Sequence, residues 1–247
     1  MDNFSIEGPR IVLKFTIAGY DLSITETVVN SWIIMIVIIA FVIWLGSNLK
    51  KVPTTKRQAI AEMAVNFMNK LIDDNLGSGL RKYYAPYLAG IFMFILLSSL
   101  MGLFGFRGVP SDISFTATLA VMTFAMILYN KIKYNGIGGY LKGLATPAIL
   151  TPFNILSELA TPVSMAIRLF GNVSGGAIIT SLIYAALAGA SAAIYGLIGL
   201  TFENYYFSIF QVGVPAVLSL YFDLFSGVIQ SYVFIMLTMA YIKSGKE

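Results

Sequence analysis

Three ionisable residues lie inside long apolar runs of this sequence, and they are the residues best placed to do chemistry. They are Glu158, Arg168 and Asp223; the other charged residues fall in tails, loops, the amphipathic segment 57–75 or the edges of apolar runs. A charge at the middle of a bilayer costs at least about 2.5–3.5 kcal/mol, so such a residue is functional by default. One arginine among acids suits the movement of a cation, because arginine keeps its proton while carboxylates bind and release one. An internal ion pair that only holds two helices together is the structural alternative.

Small polar residues accompany these charges at helical spacing. At 100° per residue, five residues fall within about 40° of a common line on one helix: Asn154, Glu158, Thr161, Arg168 and Asn172. The last apolar run carries a second stripe of Ser219, Asp223, Ser226 and Gln230. Lipid and a hydrogen-bonded helix backbone cannot solvate an ion, so polar side chains and trapped water must do so. Two such stripes on neighbouring helices predict an aqueous path for a cation.

The composition excludes most other chemistry. Of 247 residues, 57% are hydrophobic and 11% are charged, and the mean hydropathy is +0.80, whereas a soluble domain carries roughly 25% charged residues. The sequence has no histidine and no cysteine, which excludes a serine–histidine–aspartate triad, a thiol nucleophile and zinc sites built on those ligands. The net charge of +4 is too small and too dispersed to predict nucleic-acid binding. We expect no metal and no cofactor.

The apolar runs predict an all-α integral membrane protein, a single membrane domain over residues 1–247. Each of five runs is long enough to cross the bilayer: 28–49, 85–105, 113–130, 148–188 and 211–242. The last two are long enough to require a strong tilt. Residues 57–75 place apolar side chains on one face and predict an amphipathic helix on the membrane surface. The apolar but polar-dotted segment 189–210 is interpreted as outer or re-entrant.

The basic residues set the orientation. Lys50 and Lys51 follow the first predicted span directly, so the positive-inside rule places that loop in the cytoplasm and segment 1–27 outside. Five crossings then put Lys243 and the C-terminus in the cytoplasm. The first span is also expected to act as an uncleaved targeting signal, because no shorter apolar core precedes it.

Several motifs resemble one family along nearly the whole chain. The stretch 157–172 contains Pro162 and Ser164 and ends in Arg-Leu-Phe-Gly-Asn at 168–172, which resembles the signature of subunit a of F-type ATP synthases. The helix at 227–242 is similar to the closing segment of that family. The sequence is therefore identified as a member of the subunit a family of bacterial type.

The resemblance implies a stator subunit in the plasma membrane of a bacterium. Such a subunit lies beside the rotating ring of c subunits, with the b subunit of the stalk and the rest of the complex as further partners, and it has no catalytic site of its own. Two offset half-channels open to opposite membrane faces. A cation, H⁺ or Na⁺, enters one of them, binds a carboxylate of the ring, travels with the ring and leaves by the other.

The same resemblance assigns roles to individual residues. The essential arginine of the family, which discharges the ring carboxylate and blocks leakage, matches Arg168. The polar residue one turn later matches Asn172, the last-helix glutamine that faces the arginine matches Gln230, and an acid before the arginine matches Glu158. Asp223 stands where some members carry His or Glu. Further polar residues are candidates for lining the half-channels: Asn154, Thr161, Ser164, Ser219 and Ser226.

Three alternatives remain beside this interpretation. A channel or secondary transporter that acts alone would carry internal inverted repeats, and we find none in the sequence. An intramembrane enzyme would need a recognisable nucleophile or base, which the composition and motifs do not offer. A structural scaffold would leave the two polar stripes unexplained.

Overall fold

The fold was obtained as a computed structural model, which describes residues 10–17, 20–47, 55–198, 217 and 220–245. A short antiparallel hairpin precedes a bundle of helices. In chain order the strands are β1 (Ile11–Ile17) and β2 (Tyr20–Thr25), and the helices are α1 (Glu26–Gly46), α2 (Lys56–Leu76), α3 (Ser78–Leu100), α4 (Ile113–Ala145), α5 (Thr151–Ile198), a π-helix (Leu220–Phe225) and α6 (Ser226–Ser244). Short 3-10 helices at Met101–Phe104, Val109–Ser111 and Ala148–Leu150 join them.

Five of these helical segments are long and apolar enough to cross a membrane, which confirms the predicted all-α membrane fold. Their bounds differ from the apolar runs in the sequence. The first, α1, begins and ends earlier than 28–49, while α4 extends well beyond 113–130. The fifth helix, α5, continues through the first part of segment 189–210 to Ile198. Residues 199–210 of that segment lie outside the described residues.

The β-hairpin is a feature that the hydropathy pattern did not predict. β1 pairs with β2 in antiparallel register, with Lys14 opposite Ser23, and the amide of Glu26 donates to the Arg10 carbonyl at 2.8 Å. β1 is rich in β-branched and aromatic residues, the types that favour strands. The hairpin therefore leads directly into the start of α1.

Helix α2 forms where the amphipathic pattern predicts a helix, and it packs on the bundle with its second half. The Thr55 hydroxyl caps its first turn by accepting from the Gln58 amide at 3.4 Å. Met68, Ile72 and Leu76 are buried in one cluster with residues of α3, α4 and α6. The apolar side chains of the first half, Ile60, Met63 and Phe67, are exposed. The second half of α2 is therefore held in place by its packing against the core.

Helix α4 has a sharp break that shapes the site described below. Gly136 adopts a φ of 68° and a ψ of 163°, a conformation that residues with a Cβ rarely adopt. The helix resumes after this break and ends at Ala145. Lys131 consequently lies within a helix, one turn before the break, and not in a loop between spans.

A second core cluster holds α5 against its neighbours. Met165, Ala166 and Leu169 of α5 are buried together with Ile95 of α3 and Phe234 of α6; Ala120 of α4 joins the same cluster. These α5 residues recur at spacings of one, three and four, so they form one face of the helix. That face sets the direction in which every other α5 side chain points.

Candidate functional site

Arg168 projects from the outer surface of the bundle. It is exposed, although its neighbours Met165 and Leu169 are fully packed in the core cluster. Its position is about 100° around the helix from the centre of that buried face. No hydrogen bond or ion pair joins its side chain to another residue in the described part of the chain. The five donors of this guanidinium are therefore not taken up by any of the described residues.

Asn172 and Ser226 join the two polar stripes. The Ser226 hydroxyl donates to the Asn172 side-chain oxygen at 2.8 Å, which links α5 to the start of α6. Four residues further along α5, an added Cβ on Gly176 would lie 3.3 Å from the Phe222 ring. The backbone of α5 therefore runs close to the π-helix at this point. The expectation that the stripes lie on neighbouring helices agrees with this contact.

Gln230 lies at the level of Arg168 along the bundle. Ser226 pairs with Asn172, and Phe234, two turns further along α6, packs with Met165 and Leu169. Gln230 is halfway between Ser226 and Phe234, so it lies opposite the turn that contains Arg168. It is buried, with 6% exposure. The structure thus joins Asn172 to Ser226, and helical spacing places Gln230 one turn after Ser226, near the level of Arg168.

Glu158 faces a different neighbour. Both of its carboxylate oxygens accept from the Lys131 ammonium of α4 at 2.8 Å, and the Tyr140 hydroxyl approaches one of them at 3.5 Å. Ten residues separate Glu158 from Arg168, which turns the two side chains about 80° apart around the helix. Glu158 therefore points toward α4, whereas Arg168 points out of the bundle.

The remaining predicted residues divide between these two regions. Asn154 donates to the Leu144 carbonyl at 3.0 Å, on the Glu158 side. Thr161 donates to the Ser157 carbonyl of its own helix, and Ser164 is exposed. Asp223 lies in the π-helix Leu220–Phe225, where its backbone is described. Ser219 lies outside the described residues.

Two residues of this site were not singled out in the sequence. Lys131 lies directly after the predicted span 113–130, which ends there because basic residues usually mark the ends of spans, and Tyr140 lies beyond it in a glycine-rich stretch. A signal for Lys131 was present, since no glycine or proline interrupts the sequence between Ile113 and Asn135. A helix without a breaker is expected to continue, and this one carries Lys131 to Glu158.

Polar groups also line the opposite end of the bundle. Asn30 of α1 is buried and donates to the Arg107 carbonyl at 3.1 Å. The Ser174 hydroxyl of α5 donates to the Ser111 carbonyl at 3.4 Å. The Ser98 hydroxyl is fully buried and has no hydrogen-bond partner among the described residues. Buried hydroxyl groups of this kind usually bind an ordered water.

The site has no arrangement suited to a fixed metal ion. Among the residues that the structure describes, no three His, Cys, Asp or Glu side chains come together in a group that could hold one. Among the described residues the arrangement offers the exposed cation of Arg168 and a hydrogen-bonded amide and hydroxyl pair one turn after it. It also offers the acid Glu158, ten residues before Arg168 on the same helix and neutralised by Lys131. These groups can position and release a mobile cation, and none of them is a nucleophile paired with a base.

The family model and the similar proteins that match this chain all belong to one family. The family model of the ATP synthase A chain matches residues 28–243. The chain is 34% identical to the sodium ion specific ATP synthase subunit a of Propionigenium modestum, over 96% of this chain and 85% of that protein. It is 32% identical to ATP synthase subunit a of Magnetococcus marinus, over 94% and 87% of the two chains. The protein of that name from Oceanobacillus iheyensis is 29% identical over 96% and 95%.

Proposed function

Because this chain belongs to the ATP synthase A chain family, which forms part of the ATP synthase complex, we propose that it carries the cation path of that complex. It acts as the stator beside a ring of c subunits, held by the b subunit, and it has no catalytic site of its own. The cation crosses by two half-channels that meet the ring at different points. Its flow drives rotation and thereby ATP synthesis elsewhere in the complex.

The observation that carries this proposal is the exposure of Arg168. Burying an unpaired charge in lipid costs at least about 2.5–3.5 kcal/mol, so an arginine on the outer face of a membrane helix needs a partner there. A ring that presents carboxylates to this face would supply one. Asn172, one turn after the arginine, is hydrogen-bonded to Ser226, and Gln230 is buried one turn after Ser226. These residues would provide oxygen and amide groups for a cation or water at the moment of transfer.

The two half-channels are assigned to the two polar regions. The region of Glu158, Lys131 and Tyr140 is the cytoplasmic one, near the basic C-terminal end of α6. The region that leads from Asp223 past Ser226 is the outer one. This orientation places the N-terminus outside and the C-terminus in the cytoplasm of a bacterial plasma membrane, in agreement with the positive-inside rule.

ATP-driven ion uptake into inverted membrane vesicles tests the proposed function. Vesicles with the complete complex are expected to accumulate the cation, and vesicles without this chain are expected not to. Omission of sodium and addition of a protonophore then identify the ion, since the first stops Na⁺ pumping and the second collapses H⁺ pumping. Steady ion flux through the purified chain alone in liposomes would instead support a channel or transporter.

Asp223→Asn is expected to slow ion access to the outer half-channel by about tenfold, since it removes one carboxylate of roughly 1.4 kcal/mol attraction for the cation. ATP synthesis at low ion concentration should fall most, and a higher external ion concentration should restore part of it. Initial rates of synthesis across a range of ion concentrations measure this. An unchanged concentration dependence would contradict a role for Asp223 in the path.

A further inference from the structure

A polar cavity lies between α4, α5 and the end of α6. Its volume is about 410 Å³, and its lining includes Lys131, Tyr140, Asn154, Glu158, Ser244 and Gly245. The residues come from the consecutive helices α4 and α5 and from the end of α6, and the second part of α4, after the break at Gly136, lies at the cavity wall. In the proposed function this cavity is the cytoplasmic mouth of the ion path.

The charges at this mouth are already paired. The Lys131 ammonium contacts both oxygens of Glu158 at 2.8 Å, and each side chain is only 19% exposed. Charge-assisted contacts to both oxygens are the strong form of an ion pair. A transported cation would have to displace the ammonium before it could bind this carboxylate.

The stem of Lys131 is also confined. An added Cβ on Gly245 would lie 2.6 Å from the Cγ atom of Lys131, so the end of α6 lies directly against the lysine stem. Asn135, one turn later in α4, donates to the Gly245 carbonyl at 3.1 Å. The end of α6 therefore restricts the first part of the lysine side chain on this side.

We propose that Glu158 serves as the counter-charge of Lys131 at the mouth of the path, and not as a carrier of the ion. This inference rests on the proposed function. An unpaired lysine would repel every cation that approaches the mouth, whereas an unpaired carboxylate would attract cations and hold them. The pair presents neither charge, so ions pass through the water of the cavity.

Four variants in the assembled complex test this assignment by ATP-driven pumping. Glu158→Gln leaves Lys131 unpaired and is expected to lower the initial rate about tenfold at low ionic strength. Choline chloride, which screens the mouth without supplying a transported ion, should restore much of that rate. Lys131→Gln leaves the Glu158 carboxylate unpaired and is expected to lower the rate less than Glu158→Gln does. The double variant Lys131→Gln/Glu158→Gln should recover most of the rate lost in Glu158→Gln.

Lys133→Gln is the matched control, because it removes the same charge two residues away. Lys133 is exposed and lies over the Tyr129 ring at 5.9 Å, outside the cavity lining. Its rate is expected to equal that of the wild type. The amount of this chain in the purified complex, measured by immunoblot, corrects each rate for assembly.

Two results would overturn the assignment. Equal losses in Glu158→Gln and in the double variant would show that the carboxylate itself carries the ion. The second result is an equal loss of rate in the two single variants that choline chloride does not restore and that the charge exchange Lys131→Glu/Glu158→Lys repairs. It would show that the ion pair only holds the two helices together. The proposed function fails separately, because in that case the wild-type complex would not pump at all.

Discussion

Replacement of Arg168 with alanine is expected to lower ATP-driven ion pumping at least about a hundredfold while the complex still assembles. A guanidinium about 4 Å from a carboxylate at an effective dielectric constant of 20 is worth roughly 4 kcal/mol, or about a thousandfold in the occupancy of that carboxylate by its cation. Under the proposed function, a loaded ring site would then pass the stator undischarged, and ions would leak between the half-channels. The side chain is exposed and outside the core, so its removal leaves the packing of Met165 and Leu169 intact.

The measurement is ion uptake into inverted vesicles, together with passive ion leakage in the absence of ATP. Arg168→Lys keeps a positive charge and is expected to hold the leakage low, which separates the charge from the forked shape of the guanidinium. Ile167→Ala, at the neighbouring exposed position on the same helix, controls for a change on this surface. Normal coupled pumping by Arg168→Ala would contradict the function proposed for this site.

Gly227→Val is expected to destabilise the complex by about 1–3 kcal/mol and to disrupt pumping with it. A Cβ added at Gly227 would lie 2.6 Å from the Cβ atom of Ser99, a distance that real side chains do not tolerate. Helices α3 and α6 would have to separate. Since Gly227 adjoins Ser226, this movement would also pull the hydroxyl away from Asn172.

Thermal unfolding of the detergent-solubilised complex and the pumping rate measure this effect together. Gly227→Ala should show a smaller form of the same defect, and Ser99→Gly should relieve it in the double variant, because the clash is with the Ser99 side chain. Gly90→Ala in α3 is the matched control, since an added Cβ there meets no atom within 4 Å. If Gly227→Val were as stable as Gly90→Ala, the close contact of α3 with α6 would be wrong.

Hydropathy predicted much of the fold because a bilayer imposes a simple rule on composition. An uncharged apolar run of about twenty residues must form a helix that satisfies its own backbone, so α1 could be predicted to within three residues at each end. The helix α3 was predicted at 85–105 but begins seven residues earlier, at Ser78. The end of α4 could not be predicted, because basic residues were interpreted as the end of the helix. The hairpin β1–β2 lies outside the apolar runs, where this rule gives no information.

Part of the candidate site could also be predicted from the sequence, and part could not. Helical spacing predicted that Asn172 and Ser226 lie on polar stripes, and the 2.8 Å contact brings the two together. Spacing alone did not predict the partner of Glu158. Glu158 and Arg168 differ by only about 80° around α5, yet Glu158 faces α4 and Arg168 faces the exterior. The predicted second stripe also assumed a rotation of about 100° per residue through Asp223. The residues Leu220–Phe225 form a π-helix, which has more residues per turn than an α-helix. Tertiary packing and local helix geometry therefore hold the information that the sequence pattern lacks.

The length of α5 has a geometric consequence for any ion that uses both regions. Its 48 residues extend about 72 Å, more than twice the roughly 30 Å thickness of the hydrocarbon layer. A helix of that length must therefore tilt strongly, bend or extend beyond the layer. Fourteen residues separate Glu158 from Asn172, which is about 21 Å along the helix axis. In a strongly tilted helix much of that separation lies in the plane of the membrane, so a carrier that moves laterally would suit travel between the two regions.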